Sequence, residues 1–442
     1  MRPYTILILS APLLHFSTFA HAGPCDHAAL LGAGERTFLT AGSSPMRIVS
    51  GDLNNDTDID LVVAEWGVDQ VSVHLGIGDG TFAPAVRYGI AEGVGNKPHG
   101  LAIADFNNDS FADIAVGNQG DSSVSILLGD GSGAFTSGGE FDAGFFVMPT
   151  DIAVSDLDSD GDTDMVVSSE GNSVRVMLNN GDATFAAPVF NLIFGSVPTL
   201  DIGLLNNDTI PDIAACGFTS NGVVVLLGQG DGSFSSAVPY DTGTFSSDVQ
   251  IADMDNDGDN DLVVSGFFDT VSVHLNDGSG VFSPRTDYPV GVTPVEIRIA
   301  DMDGDGYNDL MAATFSTNPQ TIAFVPNDGT GALGAQHDFP SGNGAESLTI
   351  DDFNNDGAPD VAAVHDASND LYVFLNTCIH FSCGCNPADL AEPCGVLNFF
   401  DVTAFLSAFN NQEPVADLAA PFGVFNFFDV SAFLTSFVNG CP

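Results

Sequence analysis

Basic residues are nearly missing from this 442-residue chain: 8 Lys and Arg stand against 59 Asp and Glu, a formal charge of −51. A field of that sign repels nucleic acid and anionic membrane, so neither is expected as a partner. It suits a protein that binds cations or works where salt screens charge. The acidity is not that of a disordered tail, because 44% of the residues are hydrophobic. Beyond the N-terminus no apolar run is long enough to cross a bilayer. From 40 to 376 no segment carries the 3.6-residue period of a long helix. No isolated Ser/His/Asp or Cys/His set stands out, so no catalytic constellation is readable.

Cysteine is sparse. Cys216 stands alone mid-chain and reads as a small buried hydrophobe. The other six, Cys25, Cys378, Cys383, Cys385, Cys394 and Cys441, sit near domain ends and read as disulfide staples of an exported protein. Their connectivity is open, although Cys25 and Cys378 lie at chain ends that would meet in a closed ring. Cys383-Gly384-Cys385 has the wrong spacing for a zinc knuckle. Export is also written at the start, MRPYTILILSAPLLHFSTFAHA. Arg2, the apolar run Ile6 to Leu14 and the Ala20-His21-Ala22 cleavage site make residues 1–22 a signal peptide. The mature chain is therefore expected to be secreted or at the cell surface, and monomeric.

What is abundant is one loop. It reads GDLNNDTDIDLVV (51–63), ADFNNDSFADIAV (104–116), SDLDSDGDTDMVV (155–167), GLLNNDTIPDIAA (203–215), ADMDNDGDNDLVV (252–264), ADMDGDGYNDLMA (300–312) and DDFNNDGAPDVAA (351–363). Counting from the first Asp, oxygen side chains fall at positions 1, 3, 5 and 9. They are Asp52, Asn54, Asp56 and Asp60, then Asp105, Asn107, Asp109 and Asp113. Three copies are all-Asp: Asp156, Asp158, Asp160 and Asp164; Asp253, Asp255, Asp257 and Asp261; Asp301, Asp303, Asp305 and Asp309. The last copy has Asp352, Asn354, Asp356 and Asp360. In the fourth, Leu204 replaces the first Asp and leaves Asn206, Asp208 and Asp212, a site read as weak or empty.

Carboxylates so close repel unless a cation sits among them. Hard oxygen donors without His or Cys select Ca²⁺ or Mg²⁺, and the flexible cage favours Ca²⁺. About six sites are expected. An EF-hand is excluded because position 12 is apolar (Val63, Val264, Ala312) and the flanks are β runs. An ion-free Asx turn explains one such loop but not several copies.

The loops recur with a mean period of 50 residues. Most units carry a second signature, a Gly-rich turn ending in an apolar residue: LGIGDGTF (75–82), LLGDGSGAF (127–135) and LLGQGDGSF (226–234) are examples. A unit reads strand, Asp loop, strand, strand, Gly turn, strand, the content of a propeller blade. The seventh unit stops after DLYVFLN (370–376), while GAGERTFLTAG (32–42) holds an orphan turn and Phe38. The N-terminal strand is thus expected to complete the last blade and close the ring. His74 and His274 sit in identical VSVHL runs and read as packed strand positions.

Across 32–376 the chain resembles the FG-GAP/VCBS family, whose repeats are related to the integrin α-subunit β-propeller. The resemblance implies an all-β, seven-bladed propeller spanning 23–378 with calcium in the Asp loops. After a Cys-rich linker at 379–386 the pattern changes. PADLAEPCGVLNFFDVTAFLSAFNN (387–411) recurs at an offset of 28 as VADLAAPFGVFNFFDVSAFLTSFVN (415–439). Phe399, Val402, Phe405, Leu406 and Phe409 have helical spacing. This 387–442 segment resembles a divergent dockerin repeat, a small helical module. Asp389, Asn398, Asp401, Asp417, Asn426 and Asp429 match ligand positions, but Ala391, Pro393, Ala419 and Pro421 stand where that family has oxygens. The likeness implies docking to a cohesin-like or surface partner. The expected role is extracellular binding or adhesion, with a glycan or protein as ligand. The alternatives are a secreted polysaccharide lyase or hydrolase on the same scaffold, and a purely structural surface protein.

Overall fold

Each repeat folds as four antiparallel strands, because alternating or continuous β-branched runs are broken by turn-forming Asn, Asp and Gly. The computed structural model describes residues 27–378, apart from 33, 40–41, 90–91, 145–146, 170–172, 193–195, 218–221, 244, 267–268, 291–292 and 316–320, and one residue at 430. The segments expected to be a signal peptide, a Cys-rich linker and a dockerin-like module, and Cys25 with them, lie outside the described residues. Among those described, no helix is long and apolar enough to cross a membrane.

Blade 1 shows the pattern. Pro45–Gly51, Asp60–Glu65, Gln70–His74 and Val86–Gly89 pair in that order. Seven such four-stranded sheets form, so the all-β, seven-bladed expectation is met. The second strand of every blade is buried at all six positions, which is why it reads as LVVA-like runs. Outer strands such as Thr286–Pro289 are largely exposed. The first strands line the ring, and each packs on the first strands of both neighbours, Ala345–Asp351 of blade 7 against Pro45–Gly51 of blade 1 included. The fourth strand of blade 7 is Glu35–Phe38, antiparallel to Asp370–Phe374, with Glu35 opposite Val373 and Phe38 opposite Asp370.

Among the described residues the core is divided into seven clusters, each between adjacent blades. Position 2 of each Asp loop fills one of them: Leu53, Phe106, Leu157, Leu205, Met254, Met302 and Phe353 are all at most 2% exposed. A second device joins blades. An aromatic on an outer strand meets the Phe that ends the next Gly turn, edge to face: Tyr88 on Phe135, Phe141 on Phe185 and Tyr240 on Phe282. His74 and His274 are each 2% exposed, as packed strand positions should be. Cys216 is buried and free, and Cys378 is disulfide-bonded.

At the hub, the start of the first strands carries charge. Arg47 of blade 1 donates to Asp151 of blade 3 and, at 2.6 Å, to Glu296 of blade 6. Arg298 pairs with Glu296 and, at 3.4 Å, with Asp248. The carboxylates also accept backbone N–H groups from the next blade: Asp151 from Leu200, Asp201 from Ile251, Asp248 from Ile297 and Glu296 from Leu348. Burial pushes the Asp201 and Asp248 carboxyls up.

Candidate metal centres

Each Asp loop joins the first and second strands of its blade, and in the six loops other than the fourth its curl comes from two left-handed residues. Position 4 has positive φ in Asn55, Asn108, Ser159, Asn256, Gly304 and Asn355. Position 6 does the same in Thr57, Ser110, Gly161, Gly258, Gly306 and Gly357. Alternating left-handed turns roll the backbone so that side chains 1, 3 and 9 converge. Gly removes the strain at position 6 in four loops, and Asn tolerates it at position 4. Sequence reading passed over positions 4 and 6. Their recurring Asn and Gly were the signal.

Position 9 opens the second strand and is wholly buried in all seven blades. In blade 3, Asp164 accepts the Leu157 N–H at 2.9 Å and the Asn179 N–H at 2.7 Å, one on each oxygen. The pair recurs in every blade, including blade 4, where Asp212 accepts from Leu205 and Gly228. Position 9 therefore ties the Asp loop to the Gly turn of its own blade. Position 2 ties it to the next blade: the Phe106 carbonyl accepts from Ala183 N–H and Asn179 Nδ2. The Met254 carbonyl accepts likewise from Gly331 N–H and Asn327 Nδ2.

The all-Asp loops differ from the Asn loops. Carboxylate oxygens of Asp156, Asp158 and Asp164 lie within 4.8 Å of one another, as do those of Asp253, Asp255 and Asp261, and of Asp301, Asp303 and Asp309. Oδ1 of Asp156, Asp158, Asp253, Asp255 and Asp301 is buried without a hydrogen-bond partner. A buried carboxylate oxygen with no donor costs several kcal/mol unless a cation meets it. Burial, and then the neighbouring carboxylate, pushes Asp158 and Asp255 up from the ordinary range. Burial pushes Asp164 and Asp261 up to about 6 and Asp309 up to about 7. Three hard-oxygen clusters with orphaned oxygens fit a divalent cation of the Ca²⁺ class. Position 5 stands outside each cluster, where Asp160, Asp257 and Asp305 accept the N–H two residues on.

In the Asn loops the position-3 amide donates instead to the position-5 carboxylate. Asn54 Nδ2 donates to Asp56 at 2.8 Å, and Asn107 and Asn354 do the same to Asp109 and Asp356 at 2.9 Å. Position 1 is also satisfied, since Asp52, Asp105 and Asp352 accept the N–H of position 5. The fourth loop gathers no cluster among the described residues, and Leu204 stands 43% exposed.

Two other places carry polar chemistry. His27 Nε2 lies 2.7 Å from Asp303 Oδ2 of the sixth loop. A groove of about 560 Å³ between blades 4 and 5 is lined by Tyr240, Asp241, His274, Phe282, Arg285 and Asp287. Arg285 bridges Asp241 and Asp287 across it at 3.0 and 2.9 Å.

Residues 52–116, 105–167, 205–264, 253–312 and 301–363 match the model of the FG-GAP-like repeat, more than half of the chain. The chain belongs to the FG-GAP-like repeat family. Each matched segment runs from the start of one Asp loop to the strand after the next, and the fourth-loop segment begins just past Leu204. No curated relative matches the chain. Among solved structures, BBS1N in complex with ARL6DN, soaked with mercury, is similar at 14% identity and TM-score 0.56, over 80% of this chain and 98% of that one. The same complex soaked with lead is similar at 13% and 0.55, over 79% and 95%. An Agrocybe aegerita lectin solved for its recognition of non-reducing terminal N-acetylglucosamine aligns at 21% and 0.47, over 68% and 80%. At these identities the two BBS1N likenesses speak to the fold alone. The FG-GAP-like assignment agrees with the seven blades and with loops built to gather oxygen ligands.

Proposed function

We propose that this FG-GAP-like propeller is an exported, calcium-braced binding module. The observation that carries the reading is the set of buried, partnerless carboxylate oxygens in the loops of blades 3, 5 and 6. Such loops fill where calcium is millimolar, as outside the cell. Filling them would fix the turns that hold adjacent blades together, because each loop is tied both to its own Gly turn and to the next blade. The pairing of Glu35–Phe38 with blade 7 supports closure of the ring by the N-terminal strand. The tail at 387–442 would dock or anchor the propeller through its dockerin-like repeat. The ligand is a glycan or a protein, and the open groove between blades 4 and 5 supports a glycan: it presents hydrogen-bonding Asp241, Arg285 and Asp287, with the Arg already paired by the two carboxylates. In the test, melting is followed in calcium and in excess EDTA. With ~0.1 mM affinity and ~10 mM calcium, each filled site adds about 2.7 kcal/mol. An unchanged melting curve would sink the calcium reading. For the ligand, a glycan array probed with the calcium-loaded protein should show binding that Arg285→Ala abolishes.

One observation favours the enzyme alternative. Burial, with Asp366 and Glu296 nearby, pushes the Glu346 carboxyl up to about 8, and Asp366 Oδ1 is buried without a partner. A protonated acid beside a second carboxylate is the pairing that glycoside hydrolysis uses. Polysaccharide cleavage that Glu346→Gln abolishes would establish this reading over simple binding.

A further inference from the structure

We propose that His27 couples the cation of the sixth loop to the docking of the N-terminal strand. The proposal rests on the calcium reading of that loop. Asp303 is the one clustered carboxylate, among the described residues, that takes a hydrogen bond from a side chain outside its own loop. The donor is His27, 276 residues away in sequence. Its ring is held edge-on against Phe324 at 5.2 Å and His337 at 5.3 Å, so its direction is set by packing. With Oδ2 engaged by the imidazole and Oδ1 by the Asp305 N–H, Asp303 is fixed on the loop before any cation arrives. A partner that orients a ligand in this way characteristically changes metal affinity 10- to 100-fold when removed.

The same segment then runs into the last blade. Leu30 and Leu31, buried at 0% and 5%, share a cluster with Met302, position 2 of the sixth loop. The Leu30 carbonyl accepts the Thr377 N–H at 2.7 Å, and the Gly32 N–H donates to the Leu375 carbonyl at 2.8 Å. Asn376 Nδ2 closes the circuit by donating to the Met302 carbonyl at 2.8 Å. Glu35–Phe38 follows as the fourth strand of blade 7. Ordering the sixth loop therefore favours docking of this strand, and docking favours the cation by the same factor, since linkage is reciprocal. The loops of blades 3 and 5 have no such tether among the described residues, so the sixth is the loop that senses ring closure.

The mature full-length protein supplies two readouts. Tyr307 at position 7 lies inside the sixth loop, where blades 3 and 5 carry Asp162 and Asp259. Tyrosine-sensitised terbium emission, lost in Tyr307→Phe, therefore reports that loop, and calcium competition gives its affinity. Arg36 sits within Glu35–Phe38, so trypsin cleavage after it reports undocking. His27→Ala is expected to weaken the sixth loop about 10- to 100-fold and to speed Arg36 cleavage in calcium. His27→Gln, which retains an N–H donor, should recover most of both. Leu30→Ala, which loosens the segment without touching Asp303, should weaken the same loop. Asp156→Asn in blade 3 should leave Arg36 cleavage unchanged. The proposal is overturned if calorimetry shows blades 3 and 5 binding calcium while His27→Ala shifts the sixth loop by less than about twofold. It is equally overturned if Arg36 cleavage ignores calcium. If no loop binds a cation, the calcium reading falls with it.

Discussion

At position 9 a single aspartate serves two demands. As a cation ligand it wants an oxygen directed at the ion, yet both of its oxygens already hold backbone N–H groups. Blade 4 separates the two roles, because Asp212 keeps its two hydrogen bonds in a loop whose first ligand is Leu204. Asp212→Ala should therefore destabilise the fold by about 2–4 kcal/mol, by stranding two buried N–H groups, without lowering calcium stoichiometry. Chemical denaturation with calcium titration checks both halves. Conversely, Leu204→Asp should raise the stoichiometry by one, and an unchanged ion count would show that position 1 is not what blade 4 lacks. A second residue-scale expectation concerns His74. Burial lowers its imidazole from 6.5 to about 4. The unfolded chain then takes up the proton first, so stability falls as pH drops from 6.5 towards 4 and is flat above that window. The loss approaches about 3 kcal/mol for this one group. In the calcium-loaded protein, the melting temperature of His74→Gln should fall less steeply with acid than that of the wild type.

At the scale of elements, the Asp loops and second strands were legible because each is a local pattern. Carboxylates at fixed offsets and buried LVVA runs need no partner to be recognised. What stayed illegible is contact across blades. Nothing near Tyr88 announces Phe135, and nothing near Asp303 announces His27, since packing alone brings them together. The Asn and Asp loops looked equivalent in sequence, one oxygen exchanged for another. The difference appears only when the Asn54 amide turns its N–H towards Asp56 and satisfies one of its oxygens. Calorimetry should accordingly resolve tighter ions in blades 3, 5 and 6 from weaker ones in blades 1, 2 and 7. Six equal affinities would contradict this division. The half-repeat at the start was legible as an orphan, and its place opposite Asp370–Phe374 shows what it can supply. Deleting residues 23–42 would leave a row of unpaired backbone groups on blade 7. Aggregation or a large fall in melting temperature is expected, and an unshifted monomer would show that the ring does not depend on that strand.

At the scale of the molecule, the few cations sit where charge is hardest to place. Arg36 meets Asp370, Arg87 meets Glu65 at 3.5 Å, and Lys97 covers Trp66 at 4.4 Å. Arg47 and Arg298 go to the hub, where Asp151, Asp248 and Glu296 converge from three blades. No single blade encloses this cluster, so its pairing depends on the whole ring being assembled. The carboxylates there are less than 5% exposed, and Arg47 is 8% exposed. Removing one partner from such a network leaves charge that neither water nor protein compensates. Arg47→Ala should therefore cost about 3–5 kcal/mol in chemical denaturation. Arg285→Ala removes a cation from a more open groove, where Asp241 and Asp287 are exposed, and should cost less than about 1 kcal/mol. Because Arg47 joins blades 1, 3 and 6, its loss should also reduce unfolding cooperativity, so that the transition broadens as well as shifts. Equal and small effects for the two arginines would mean that the hub charges reach solvent, and that interblade packing alone holds the ring.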